Sequence, residues 1–263
     1  MIVADLHVHT TRSDGTLPPD AVGDAAREAD LEAVAVTDHD RLPAFDAPVV
    51  ERDGVTVIAG IELRVTTGDQ RLDLLGYGVE GTPDLRAETE RLQRDRIERA
   101  RGIVDCVEDR LGVDLDLDMH DGIGRPHIAG AIADSPAPYD AQDAFDHLIG
   151  TDDPCYVARD LPTFERGQEL LEDAAAIVGL AHPLRYDDPD AALAHATDLD
   201  AVEREYPYDG PVDLTPVEAA IDTHDLLATG GSDAHGETLG EAGLGRETYE
   251  RVQTAIGEKP GES

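Results

Sequence analysis

Apolar residues along the chain gather into short runs separated by Ala-rich amphipathic stretches. "MIVADLHV" (1–8), "LEAVAVTDH" (31–39), "GVTVIAGIEL" (54–63) and "QRLDLLGYGV" (70–79) have the length and β-branched content of strands. Between the first two, "PPDAVGDAAREAD" (18–30) opens on prolines and continues on helix formers, the signature of a helix start and body. Further on, "DAAAIVGLAHP" (173–183), "DLDAVEREY" (198–206) and "HDLLATGGSDAH" (224–235) read as strand ends preceded by helical stretches. Alternation of this kind predicts an α/β chain built of βα units, with a parallel sheet or barrel. No internal repeat interrupts it.

One block breaks the rhythm. "PDLRAETERLQRDRIERARGIVDCVEDRLG" (83–112) predicts a long charged helix with apolar positions at Leu92, Ile103, Val104, Val107 and Leu111. Short helical pieces follow around "GRPHIAGAIAD" and "AQDAFDHLIG". The expected organisation is a barrel domain of residues 1–82 and 151–257, a lid-like helical insertion of 83–150 over one barrel end, and a frayed tail of 258–263.

Composition changes the picture in three ways. Hydrophobic residues make up 40% of the chain but aromatics only 4%, so the core has to be aliphatic. The 58 acidic residues outnumber 21 basic ones, for a net charge of -37, and Lys259 is the single lysine. Acid spread along the whole length and interleaved with apolar segments is the mark of a folded surface tuned to high salt rather than of a disordered acidic chain. No basic patch exists to displace counterions, which argues against tight duplex-DNA binding. No apolar stretch reaches membrane-spanning length. Cys106 and Cys155 lack CxxC spacing and are expected to be reduced, and the start "MIVADLHVH" runs straight into a strand, so the expected compartment is the cytoplasm.

The candidate chemistry lies at the strand ends. In "DLHVHTTRSDGT" (5–16), His7 and His9 are two apart and share a strand face, with Asp14 close behind. His39 ends "AVAVTDH", Glu62 ends "TVIAGIE", His182 ends "AIVGLAH", and Asp233 and His235 follow "LLATGGSDAH". In (β/α) barrels, the C-terminal strand ends are where loops from separate strands converge. A mixed imidazole and carboxylate set suits Zn²⁺, Mn²⁺ or Fe²⁺, and these candidates outnumber what one ion can use. Gly230 and Gly231 are expected to let the last strand turn and present Asp233. His120, His147, His195 and His224 lack partner motifs and are read as structural or solvent-facing.

"DLHVHTTRSDGT", "VAVTDHD", "AGIE", "GLAHPLRY" and "GSDAHG" occur in that order, and together they resemble the PHP (polymerase and histidinol phosphatase) superfamily of metal-dependent phosphoesterases. "GRPHIA" and "HPLRY" are similar to the branch acting on nucleoside 3',5'-bisphosphates and RNA 5' ends. The resemblance implies a distorted seven-stranded (β/α) barrel with two to three divalent metal ions, Mn²⁺ first and Zn²⁺, Fe²⁺ or Mg²⁺ as alternatives. His7, His9, Glu62 and Asp233 would surround the first ion. Glu62 would bridge to a second, which His182 also binds, and Asp14, His39 and His235 would hold the third. The family's second ion usually takes a further histidine three residues before a glycine. Here Asp73 stands there, in "RLDLLGYG", and an aspartate would favour Mn²⁺ or Mg²⁺ over Zn²⁺.

The implied reaction is metal-assisted hydrolysis of a phosphate ester. Coordination lowers the pKa of water from 15.7 to about 7, and a bridging hydroxide attacks phosphorus. His39, Asp14 or His235 would protonate the leaving oxygen. Arg125, His127 and Arg185 would grip non-reacting phosphates, since a guanidinium fork matches two phosphate oxygens. The expected substrate is a small phosphorylated molecule or a short oligonucleotide end, with no protein partner assigned. The alternatives are a histidinol-phosphatase-like phosphomonoesterase and a non-catalytic PHP accessory domain.

The acidic surface predicts salt dependence. At ~1 M salt the Debye length is about 3 Å, so self-repulsion is screened, and dilution into low salt should loosen or unfold the chain. Circular dichroism along a salt series checks this, and full cooperative stability in dilute buffer would contradict it.

Overall fold

A computed structural model describes residues 1–257, and the tail expected at 258–263 lies outside them. The described residues form nine strands and eight α-helices. The first part runs β1 (Ile2–Val8), α1 (Val22–Glu28), β2 (Ala33–Val36), β3 (Val49–Arg52), β4 (Val55–Thr66) and β5 (Arg71–Tyr77). Next come α2 (Pro83–Leu111), α3 (Arg125–Asp134), α4 (Ala141–Ala144) and α5 (Phe164–Ala174). The last part is β6 (Ile177–Leu180), α6 (Pro189–His195), β7 (Ala201–Glu205), α7 (Thr215–His224), β8 (Leu227–Gly230), β9 (Leu244–Gly245) and α8 (Arg246–Gly257).

The sheet order is β8-β7-β6-β5-β4-β2-β1-β9, with β3 on β4. A parallel bridge from Val8 to Ala234 brings the end of β1 to the segment after β8. Seven strands, β1, β2 and β4 to β8, therefore make the nearly closed barrel, and β3 and β9 are additions to it. Both additions escape the apolar-run reading. The β3–β4 turn is Asp53-Gly54, with both residues at positive φ (53° and 82°), which is the backbone a tight hairpin needs.

The expectation of parallel strands throughout needs correction at β5, which pairs antiparallel with both β4 and β6. The linker between β4 and β5 spans only residues 67–70, too short for the crossover that parallel neighbours require. The reversal has a functional consequence: it carries the beginning of β5 to the same end of the barrel as the C-terminal ends of its neighbours.

Two compact units divide the chain, Glu90–Asp160 and the remainder. In the barrel unit Leu6, Ile58, Leu75 and Tyr77 belong to one fully buried cluster, while Val22 and Ala26 of α1 pack with Val34, Val36 and Val57. The Glu90–Asp160 unit has its own core of Ile103, Val107, Ile123, Ile128, Ile132 and Ile149.

That second core corrects the expectation of reduced cysteines. Cys106 of α2 and Cys155 are joined as a disulfide, because the cluster brings two positions 49 residues apart into contact. Closing a loop of this length removes denatured-state entropy amounting to about 4 kcal/mol. Titration of the unfolded chain without reductant should find no free thiol, and a reductant should lower the melting temperature. Two free thiols, or a melt indifferent to reductant, would count against the bridge.

Candidate metal centre

β1 places Asp5, His7 and His9 on one face, all with 0% exposure. Asp5 ties this strand to the loop after β8. Its carboxylate accepts from the Ser232 amide (2.9 Å), the Ser232 hydroxyl (2.5 Å) and the Gly240 amide (2.8 Å). The same approach explains Gly231: a Cβ there would lie 2.3 Å from the His7 nitrogen and 2.8 Å from an Asp5 oxygen. Closeness of two backbones, rather than a sharp turn at positive φ, is what excludes a side chain. Asp233 and His182 themselves adopt positive φ (52° and 26°), a backbone cost held in place by the packing around them.

The nine sequence-predicted ligands meet at the strand ends in three sets. These are His9, Asp14, His39 and His235; His7, His9, Glu62 and Asp233; and Glu62, Asp73 and His182. Within each set the potential ligand atoms lie within 4.8 Å of one another. Glu62 is the hub: Oε2 is 3.5 Å from His7 Nε2, 3.4 Å from His9 Nε2 and 2.8 Å from His39 Nδ1, and Oε1 is 3.0 Å from His182 Nε2. Asp233 Oδ1 sits 3.0 Å from His9 Nε2, and Asp14 Oδ1 sits 3.3 Å from His235 Nε2.

Several of these atoms are buried without a hydrogen bond: His7 Nε2, both His9 nitrogens and Glu62 Oε2. Each such orphan costs about 1–3 kcal/mol, and buried polar atoms are ordinarily paired. Lone-pair donors of the N/O type, gathered this tightly and left unpaired, suit divalent cations.

The charges are strongly coupled. Burial alone would keep His7 neutral, but Glu203 and Glu62 outweigh it and hold the imidazole well above its ordinary value. Burial likewise opposes protonation of His39, and Glu62 and Asp14 raise it nonetheless. His235, against burial, is pushed up to about 9 by Asp14. His9 is the exception, lowered by burial and by the neighbouring His39. Despite burial, imidazoles hold Glu62, Asp14 and Asp233 below the usual carboxylate range.

A supporting layer, absent from the sequence-based candidates, orients the ligands. Glu203 of β7 is fully buried; it faces His7 Nδ1 at 3.0 Å and accepts the His182 amide at 2.7 Å. A carboxylate only accepts, so Nδ1 carries a proton and Nε2 is the nitrogen turned to the centre, free to take a cation once it gives up its own proton. Asp38 accepts from the Thr10 amide (2.8 Å), the Thr10 hydroxyl (2.7 Å) and the Ser13 hydroxyl (2.7 Å), fixing the loop that carries Asp14. The Tyr206 hydroxyl (2.8 Å) and Arg185 Nη1 (3.1 Å) donate to Asp233 Oδ2, leaving Oδ1 to the histidines. Arg185, expected to hold phosphate, is thus engaged with a ligand of the centre. Arg125 and His127 stand at the start of α3 in the other unit. Glu203 had a legible signal, an acid directly after the apolar start of the strand "AVERE"; Asp38 and Tyr206 had none.

A family model for the PHP domain matches residues 5–141. The chain is 29% identical to a 3',5'-nucleoside bisphosphate phosphatase of Chromobacterium violaceum, over 92% of this chain and 90% of the relative. It is 28% identical to the 5'-3' exoribonuclease Rnm of Escherichia coli, over 89% and 85%. Its fold matches a Bifidobacterium adolescentis protein classed as a metal-dependent phosphoesterase, with a TM-score of 0.78 at 24% identity over 97% and 96% of the two chains.

The raised histidines make metal loading proton-coupled. His235 carries a proton below about 9, and a cation has to displace it, so affinity should rise with pH up to that value. Calorimetric titration with Mn²⁺ in two buffers of different ionisation enthalpy should give different heats. Equal heats, meaning no proton release, would contradict the assignment.

Proposed function

The chain belongs to the PHP domain family, and from that membership we propose that it is a metal-dependent phosphoesterase hydrolysing nucleoside 3',5'-bisphosphates or the 5' ends of short RNA or DNA. The observation that carries this reading is the convergence of three contiguous ligand sets, in which His7 Nε2, both His9 nitrogens and Glu62 Oε2 are buried without a hydrogen bond. His7, His9, Glu62 and Asp233 would hold one divalent ion, Asp14, His39 and His235 with His9 another, and Glu62, His182 and Asp73 form the remaining set. When bound, such ions lower the pKa of water and offset negative charge growing on the phosphoryl oxygens. Mn²⁺ suits the mixed imidazole–carboxylate donors.

The chain's own residues do the rest. Glu203 fixes the His7 tautomer, and Arg185 with Tyr206 fixes which oxygen Asp233 offers. His39, Asp14 and His235, with side chains 15%, 40% and 40% exposed, are the members of the set able to pass a proton to a leaving oxygen. A net charge of -37 repels phosphate, but a cationic centre reverses the local field.

Cations also gather in the second unit. Arg99 is lowered to about 10 by burial and by Arg125 and Arg159, and the Arg125 guanidinium lies 5.6 Å from the Phe145 ring and 5.7 Å from the Tyr156 ring. In so acidic a chain this concentration of arginines fits a grip on a second, non-reacting phosphate by Arg125 with His127. Similarity to a 3',5'-nucleoside bisphosphate phosphatase and to a 5'-3' exoribonuclease supports the nucleotide reading over histidinol phosphate. The full ligand sets speak against a non-catalytic role. Among the described residues no helix is long and apolar enough to cross a membrane. The proposal includes a halophilic host and work in the cytoplasm, where nucleotide substrates are made.

In high salt with Mn²⁺, release of phosphate from a 3',5'-bisphosphate should be abolished by exhaustive chelation and restored by the metal. Arg125→Ala should raise KM for the bisphosphate by roughly 10-fold or more, about the worth of one charge-assisted hydrogen bond, and change an aryl phosphate little. Activity surviving chelation would sink the metal mechanism, and equal effects on the two substrates would remove the arginine grip.

A further inference from the structure

The β4–β5 register sets Arg64 directly opposite Asp73. The two side chains form a two-pronged pair, Nε to Oδ1 and Nη2 to Oδ2, both at 2.7 Å. Asp73 is buried, whereas the Arg64 side chain is 37% exposed. The surroundings hold the pair in place: the Arg64 amide donates to Asp40 Oδ1 (3.0 Å), and the Asp73 amide donates to the Tyr186 hydroxyl (2.9 Å).

This pairing singles out one of the three ligand sets. Asp14 faces imidazoles, those of His39 and His235 nearest. Asp233 gives one oxygen to Arg185 and keeps the other for the centre. Asp73 alone has both oxygens taken by a guanidinium, and its Oδ2 is 3.8 Å from His182 Nε2, the longest carboxylate contact His182 makes in the set. Without Asp73 that set reduces to His182 and Glu62, and Glu62 is already shared with the neighbouring set. Two ligands, one of them shared, are fewer than the three to four protein ligands of a tight transition-metal site. A divalent ion there would also sit against a fixed positive charge.

We propose that Arg64 is a built-in cation of the centre: by clamping Asp73 it stands in for an ion at the Glu62–Asp73–His182 set, so that the chain holds two divalent ions rather than three. This rests on the phosphoesterase reading, since it presumes that the other two sets are filled. It assigns Arg64 a positioning and electrostatic role that chelators cannot remove. It also accounts for an aspartate where the resemblance implies a histidine, because the residue opposite it is an arginine.

Ion counting tests this without recourse to activity. The wild-type chain, loaded with excess Mn²⁺ in high salt and desalted, should carry two ions by plasma mass spectrometry. An anomalous difference map of its crystals should show two peaks, with the Arg64 guanidinium beside the third set. The paired variant Arg64→Ser with Asp73→His removes the clamp and supplies an imidazole, and it should raise the count to three. Three ions in the wild type, with phosphatase activity intact, would overturn the role of Arg64 alone, and a well-folded pair variant remaining at two would do the same. Fewer than one ion in the wild type would overturn the phosphoesterase reading and this proposal together. The wild-type count and map decide the matter even where the variant fails to fold.

Discussion

Everything at the centre of this protein follows from one constraint: imidazoles and carboxylates from separate strand ends are buried together with too few hydrogen bonds among themselves. His7 Nε2, the His9 nitrogens and Glu62 Oε2 have left water without gaining a hydrogen bond. A fold retains such atoms when another charge completes them, and divalent cations complete N/O donors. The mixed protonation of the set reflects the same incompleteness, since protons on His7, His39 and His235 offset carboxylates that would otherwise face one another.

The supporting layer extends the constraint outward. Ligands offered at one defined atom have to be held from behind, so Glu203 grips the far side of His7, Asp38 the loop carrying Asp14, and Arg185 with Tyr206 the spare oxygen of Asp233. Asp5 performs the same service for backbone, clamping the first strand to the loop that follows the eighth, and Gly231 admits that closeness because it has no side chain. The barrel is closed where the chemistry is, and for the same reason.

Charge is distributed with equal economy. In a chain of net charge -37, several arginines are paired with carboxylates. Arg64 and Arg185 serve the centre, while Arg99 and Arg125 lie together in a unit braced by its own aliphatic core and the Cys106–Cys155 bridge.

Local pattern determined the α/β class, the barrel, most strands and eight of the nine ligand candidates, because each signal is short-range: two histidines on alternate residues, or a polar residue at or just past the end of an apolar run; Asp73 entered only through the family resemblance. The β3–β4 hairpin turning at Asp53-Gly54 was not read from the sequence, since β3 is a short strand of mostly exposed residues. What only tertiary structure decided is pairing across the chain. Sequence proximity does not say that β5 runs backwards between its neighbours, that Cys106 meets Cys155, or that Glu203 lies behind His7. Nor does it say that Arg64 faces Asp73, a partnership fixed by antiparallel register and by nothing in the composition of either strand. Side-chain identity names the groups available to a metal; register and packing decide which of them are already taken.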